Sequence, residues 1–171
     1  MPTRFNRSEA FDLLALFDAL EGVDYVVVGG GAAALHGAPR LTFDVDIVPA
    51  ASTGNRDRLF RALTKLATCV REPGKRRLPL TKPLFAQSCA AGGQLRLQTQ
   101  VGPLDILWRL RDGRGYEEIA AQSVLLSDRE RQIRVVGIDE LIEIKLAAGR
   151  PQDQQDVQYL KRIRKRAKTN C

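Results

Sequence analysis

The sequence predicts an α/β (α+β) domain: a small mixed sheet flanked by helices, with further helices closing the chain. Three observations carry this reading. Short apolar runs at residues 25–28 and 43–48 alternate with segments of helical periodicity. The stretch QLRLQTQVGPLDILW alternates apolar and polar residues around Gly102 and Pro103, the pattern of two antiparallel strands joined by a tight turn. Beyond Val136, two helical patterns meet at Gly149 and Pro151, a helix stop followed by a favoured first-turn residue. With 171 residues, 44% of them hydrophobic, the chain can bury a real core, so residues 1–171 read as one domain whose segment 139–168 forms C-terminal helices with a basic tail.

Each element has its own signal. Ser8 is placed to cap a helix with an apolar stripe of Phe11, Leu13, Leu14, Phe17 and Leu20, and Gly22 stands just past its end. Residues 25–28 form a short buried strand, 32–36 a short helix ended by Gly37 and Pro39, and 43–48 a strand with Phe43, Val45 and Ile47 turned inward. Residues 55–66 form an amphipathic helix with Leu59, Leu63 and Leu66 inward, and the basic segment REPGKRRLPLTKP after it reads as a loop. The hairpin follows and sets Asp105 inside its second strand. Residues 124–126 and 133–136 read as two more short strands around SDRERQ. Asp139 then caps a helix running to Ala148, and the last helix turns Val157, Leu160 and Ile163 inward.

Composition narrows the class of protein. No apolar run approaches the ~20 residues that cross a bilayer, and MPTRFNRSEA lacks the plan of a secretory signal, so a cytoplasmic protein with no membrane partner is expected. Cys69, Cys89 and Cys171 are odd in number and widely spaced, which argues against a disulfide framework or a structural zinc site. Net charge is +7, and the segment KRIRKRAK at residues 161–168 holds six cations, so the excess is local. Such a run either tracks a polyanion such as RNA or is a solvated helix end whose cations suit the helix dipole.

Gly29, Gly30 and Gly31 lie between a strand and a helix, where glycine lets the backbone approach a ligand and free N–H groups attract phosphate; a plain tight turn is the other reading. Gly29, Gly31 and Ala34 match the dinucleotide fingerprint literally, but the helix that follows is too short and the chain lacks room for two mononucleotide halves. The carboxylates are more informative. In a strand, Asp44 and Asp46 share a face with Cα atoms roughly 6.5 Å apart, so two like charges are held together without an obvious counterion. A divalent cation would supply one. Asp105, between Leu104 and Ile106, is another carboxylate in an apolar strand that needs a partner. Were the two strands neighbours, three carboxylates would converge, enough for a two-metal site.

These residues carry a resemblance. Two glycines, thirteen residues and then DVD, with a later Asp on a strand after a hairpin, resemble the nucleotidyltransferase fold of the DNA polymerase β superfamily. The string GAPRLTFDVDIVP is similar to the AbiEii, MenT and related toxin-type branch, in which R-x-T-x-D-x-D is typical. The stretch DELIEIKLAAGRPQDQQDVQYL resembles that branch's closing motif, a Lys on one helix followed by R-x-x-D-x-x-D. The resemblance runs over residues 26–160, the middle by architecture alone.

The resemblance implies transfer of NMP from an NTP to an acceptor hydroxyl, with two Mg²⁺ ions, or Mn²⁺ in their place. Its implied partners are the NTP, tRNA (at its 3′ end) or other RNA, and a cognate antitoxin protein. Carried over position by position, Gly29 and Gly30 cradle the phosphates, Asp44 and Asp46 bind both metals, and Asp105 completes one metal site and acts as general base. Arg40 and Thr42 steady the triphosphate or the incoming strand, Lys145 neutralises phosphate charge, and Asp153 and Asp156 orient it or its neighbours. Bland alternatives stand beside these roles: an exposed helix cation for Lys145, an acidic first-turn pair for Asp153 and Asp156, a polar helix end for His36, and packing for Trp108 and Tyr116. A small-molecule (antibiotic) or protein acceptor would use the same metal core. A non-catalytic RNA- or partner-binding module built on the fold and its basic tail is the alternative from another class.

Overall fold

The computed structural model describes residues 11–72, 74, 76–128 and 130–169, so the Ser8 cap and Cys171 lie outside the described residues. In chain order its elements are α1 (Leu13–Ala19), β1 (Tyr25–Val28), α2 (Gly29–Leu35), β2 (Val45–Pro49), α3 (Thr53–Lys65), β3 (Cys69–Val70), β4 (Leu78–Pro79) and α4 (Lys82–Ala91). They continue as β5 (Gln94–Thr99), β6 (Gly102–Leu107), α5 (Tyr116–Ala121), β7 (Ser123–Asp128), β8 (Arg131–Val136), α6 (Ile138–Ala148) and α7 (Pro151–Thr169). Among the described residues the strands make one eight-stranded sheet in the order β4-β3-β5-β6-β2-β1-β8-β7. The sheet is mixed: β2 runs parallel to β6 and β1 parallel to β8, and the other neighbours are antiparallel. The expected α/β class with a mixed sheet, flanking helices and closing helices is what the chain adopts.

Period-two alternation in the central strands sets the two faces of the sheet. Val45 and Ile47 of β2 pair with Leu104 and Ile106 of β6, and all four are fully buried. Asp46 and Asp105, one residue out of phase, therefore share the opposite face. Around this centre α5 packs on β1, β2 and β8, α4 packs on β5, and α2 packs on β1, β2 and β8 and against α6, which carries α7. Leu59 and Leu63 of α3 are fully buried and Leu66 nearly so, and Val157 and Leu160 of α7 are buried with Ile163 packed beside them. The helix stop at Gly149 is left-handed, with φ of 67°.

Several local expectations are corrected. Helix α1 starts at Leu13, with Asp12 accepting from the Ala15 N–H at 2.9 Å, and this phase turns Leu16 fully inward and leaves Leu14 44% exposed. Phe43 is 75% exposed, because β2 begins only at Val45 and strand alternation does not reach it. The three glycines are the first turn of α2 itself rather than a loop ahead of it. The basic segment is not wholly loop: it holds β4 and leads into α4, whose N-cap Thr81 accepts from the Leu84 N–H at 3.4 Å and whose end is the left-handed Gly92. Trp108 packs in the core against this helix, donating from Nε1 to Ser88 Oγ at 3.0 Å with its ring edge-on to Phe85.

One polar side chain ties the inner helix start to the sheet. Asn55 is fully buried; its amide accepts from the Asp24 N–H at 2.7 Å and donates to the carbonyls of Asp24 and Ala50 at 2.8 and 2.9 Å. Truncation leaves the Asp24 N–H and the Ala50 carbonyl without their partner and the Asp24 carbonyl with the Ala50 N–H alone. Asn55→Ala is expected to lower unfolding free energy by about 2–4 kcal/mol in urea denaturation, whereas Leu41→Ala, at a site 79% exposed, shifts it by less than about 0.5 kcal/mol.

Candidate active site

The register of β2 against β6 makes Asp46 and Asp105 direct neighbours, Cα to Cα about 5 Å apart on parallel strands. Asp44, just ahead of β2, acts on both of them as a like charge. Burial, then repulsion from Asp44 and from Asp105, pushes the Asp46 carboxyl up to about 7, against a smaller pull from Arg150 and Lys145. Asp105 is also raised, by burial first, with Arg71 and Gln94 holding it back. The three acids named in the sequence are thus brought together, and their mutual charge is incompletely balanced.

Their states differ. Asp105 is buried with both oxygens engaged: Arg71 donates to Oδ1 at 2.8 Å and Gln94 Nε2 donates to Oδ2 at 2.8 Å, while Arg96 Nε stands 4.0 Å from Oδ2. As it stands, each Asp105 oxygen carries a side-chain donor. Among the described residues no group of three or more His, Cys, Asp or Glu is arranged to hold a metal ion. Asp44 and Asp46 fit Mg²⁺ as a two-carboxylate set, since that ion takes few carboxylates and completes its shell with phosphate and water oxygens. Asp46 is raised by burial first and by the like charges of Asp44 and Asp105 next, and a cation bound there would offset both.

Glycine is required beside this carboxylate. Val28, the last residue of β1, pairs with Asp46, and Gly29 follows it as the first residue of α2 with φ of +65°, where a Cβ would lie 2.1 Å from Asp46 Oδ2. At Gly30, a Cβ would come within 2.9 Å of an Arg40 guanidinium nitrogen. The glycines therefore let Asp46 and Arg40 press against the start of α2. Thr42 turns inward on its own segment, donating from Oγ1 to the Asp44 carbonyl at 2.8 Å, which shapes the approach to β2.

The closing motif forms a buried ionic frame next to the acids. Lys145 is 4% exposed, not a surface cation, and donates to Asp153 Oδ1 at 3.3 Å and to Asp156 Oδ2 at 2.6 Å. Asp156 also takes Arg40 Nη1, and Asp153 takes Arg150 Nε at 2.7 Å. Burial acts to raise Asp153, but Arg150 and Lys145 outweigh it and hold its carboxyl below the usual range. Asp153 and Asp156 are buried partners of three cations rather than an exposed first-turn pair. The frame carries a net positive charge and borders Asp46, through Lys145 and Arg150.

A cavity of about 570 Å³ opens over Gly29 and Asp46. Leu107, Leu110, Ile144 and Ala147 give it apolar walls, and Arg109, Arg111 and Arg150 surround it. None of these arginines, nor Arg71 or Gln94, was singled out in the sequence. Arg150 alone had a signal there, as the first residue of R-x-x-D-x-x-D. His36 ends α2 with Nε2 2.7 Å from the Val136 carbonyl, a polar helix end.

No protein-family model matches the chain, and no curated protein matches it. In structure the chain is similar to LnuA, a lincosamide antibiotic adenylyltransferase solved with lincomycin bound, over 92% of this chain and 98% of that one, with 18% identity and a TM-score of 0.57. It is also similar to TM1012 of Thermotoga maritima, provisionally assigned as a nucleotidyltransferase, over 84% and 86% of the two chains, with 18% identity and a TM-score of 0.51. The chain has the nucleotidyltransferase fold. In that fold the chain carries its paired acids on adjacent strands with the glycine turn beside them.

The raised Asp46 carboxyl has a measurable sign. The folded protein holds this proton up to a pH of about 7, whereas the unfolded chain gives it up near 4, so without divalent ions stability falls as pH rises across that window. Asp46→Asn removes the penalty. From pH 5 to pH 8 the variant is expected to gain on the order of 2 kcal/mol relative to the parent in denaturant melts with chelator present. A pH-independent difference contradicts the assignment.

Proposed function

We propose that the protein is a metal-dependent nucleotidyltransferase that moves NMP from an NTP to an acceptor hydroxyl. The observation that carries this is the cavity in which Gly29 and Asp46 meet three arginines and an apolar wall. Arg109, Arg111 and Arg150 suit a triphosphate, and Leu107, Leu110, Ile144 and Ala147 offer a surface for the base. Asp44 and Asp46 would hold Mg²⁺, which would supply positive charge to offset that of the phosphates. The acceptor oxygen bonds to the α-phosphorus as the α–β phosphoanhydride bond breaks, and pyrophosphate leaves. Asp105 takes the hydroxyl proton, and its carboxyl, raised by burial, is a better base than an ordinary carboxylate. The frame of Lys145, Asp153, Asp156 and Arg40 fixes α6 and α7 against the start of α2 and sets Arg150 at the cavity rim.

Two acceptors follow from separate observations. The exposed cations Lys161, Arg162, Lys165 and Arg166 of α7 favour an RNA acceptor such as a tRNA 3′ end, the reading that goes with a toxin-type protein and a cognate antitoxin. The near full-length match to LnuA favours a small-molecule hydroxyl instead.

Incubation with Mg²⁺, each α-labelled NTP, and either total RNA or a lincosamide is expected to label one acceptor and release pyrophosphate. Asp46→Asn and Gly29→Ala should each cut the rate roughly 100-fold or more, the second by displacing the Asp46 carboxylate. Absence of pyrophosphate release with every NTP and both acceptors contradicts the function.

A further inference from the structure

Arg71 occupies a position that catalysis at Asp105 cannot ignore. It follows β3 directly, and its backbone N–H donates to the Arg96 carbonyl at 2.8 Å. Its side chain is anchored by Nε on the Leu97 carbonyl at 3.0 Å and reaches Asp105 Oδ1 at 2.8 Å, with 31% of the side chain still exposed. Gln94 holds the other oxygen. A cation at Asp105 competes with the guanidinium, because Arg71 already occupies one side of Oδ1 and neutralises the charge that the cation would seek. A carboxylate whose charge is already matched also attracts a divalent ion weakly. A polyphosphate, by contrast, offers a guanidinium several anionic oxygens in the fork geometry that it prefers.

We propose that Arg71 is an exchangeable counterion: it competes with the divalent cation for Asp105, and the triphosphate of the incoming nucleotide draws it off, so that metal and nucleotide bind cooperatively. This rests on the nucleotidyl-transfer reading for its second half. The competition itself does not, since it follows from the Arg71–Asp105 contact. Arg71 then acts twice in sequence, as guard of the empty carboxylate and as a ligand of the bound phosphates. By linkage, whatever factor the nucleotide adds to metal affinity, the metal adds to nucleotide affinity.

Mn²⁺ titration followed by electron paramagnetic resonance, with and without a non-hydrolysable NTP analogue, tests this on the full chain. The parent is expected to bind Mn²⁺ weakly alone and at least tenfold more tightly with the analogue. Arg71→Met should bind Mn²⁺ at least tenfold more tightly than the parent without nucleotide, lose most of the enhancement by nucleotide, and show a raised KM for NTP. Arg71→Lys, which keeps the charge without the fork, should fall between them and covers the case in which Arg71→Met folds poorly. Adding Asp105→Asn to Arg71→Met should return nucleotide-free affinity to the parent level. Unchanged or weaker nucleotide-free Mn²⁺ binding in both Arg71 variants overturns the competition, and an undiminished nucleotide enhancement in them overturns the exchange. If the Arg71 variants gain metal affinity but no NTP is turned over by the parent, the competition stands and the nucleotidyl-transfer reading fails.

Discussion

Two carboxylates held side by side by a parallel strand register are the constraint around which this molecule is organised. Backbone pairing of β2 with β6 fixes Asp46 beside Asp105, and the apolar residues on either side of each are fully buried, so neither strand can slip without exposing core. The like charges cannot separate. What surrounds them reads as a set of answers to that repulsion: Arg71 and Gln94 at Asp105, the cationic frame through Lys145 and Arg150 near Asp46, and a proton retained on Asp46 to near neutrality. A stable fold without a role for this charge would place apolar residues at both positions.

The glycine turn and the closing helices serve the same centre from opposite sides. Gly29 has no Cβ where one would collide with Asp46, and Gly30 leaves room for the Arg40 guanidinium. Arg40 in turn pairs with Asp156 of α7, and Asp156 shares Lys145 with Asp153, so α6, α7 and the segment between α2 and β2 are joined through charged pairs rather than through apolar contact alone. Burying three charged groups, Lys145, Asp153 and Asp156, is costly unless each is paired, and here each anion meets two cations. The arrangement gives rigidity and orientation next to the cavity, which suits the triphosphate site proposed above.

Much of the centre was legible in the sequence because it is encoded locally. The DVD spacing, the isolated Asp105 in an apolar strand, the glycines after β1 and the Gly149–Pro151 junction each carry a short-range signal, and the hairpin that holds Asp105 in its second strand is set by alternation. The partners of those residues were not legible. Arg71 meets Asp105 across 34 positions and Arg40 meets Asp156 across 116, and nothing local marks either arginine apart from many others in a basic chain. The elements missed have a similar cause: β3 and β4 are two residues each, and α4 is introduced by a run of Lys, Arg and Pro that reads as loop until its Thr81 cap and Gly92 stop are weighed together. Phe43 and Leu14 show the limit of periodicity, since each lies one or two residues from an element boundary that pattern alone does not fix.

The central proposal is that Asp44 and Asp46, joined by Asp105, take a divalent cation beside the glycine turn once nucleotide is present. A crystal structure with Mn²⁺ and a non-hydrolysable NTP, phased to show the anomalous signal of the metal, addresses it most directly. The account predicts an anomalous peak within about 2.4 Å of oxygens from Asp44 and Asp46, phosphate oxygens in the same shell, and Arg71 turned from Asp105 toward the triphosphate. Nucleotide bound with its phosphates elsewhere, or an anomalous peak that none of these carboxylates touches, contradicts it.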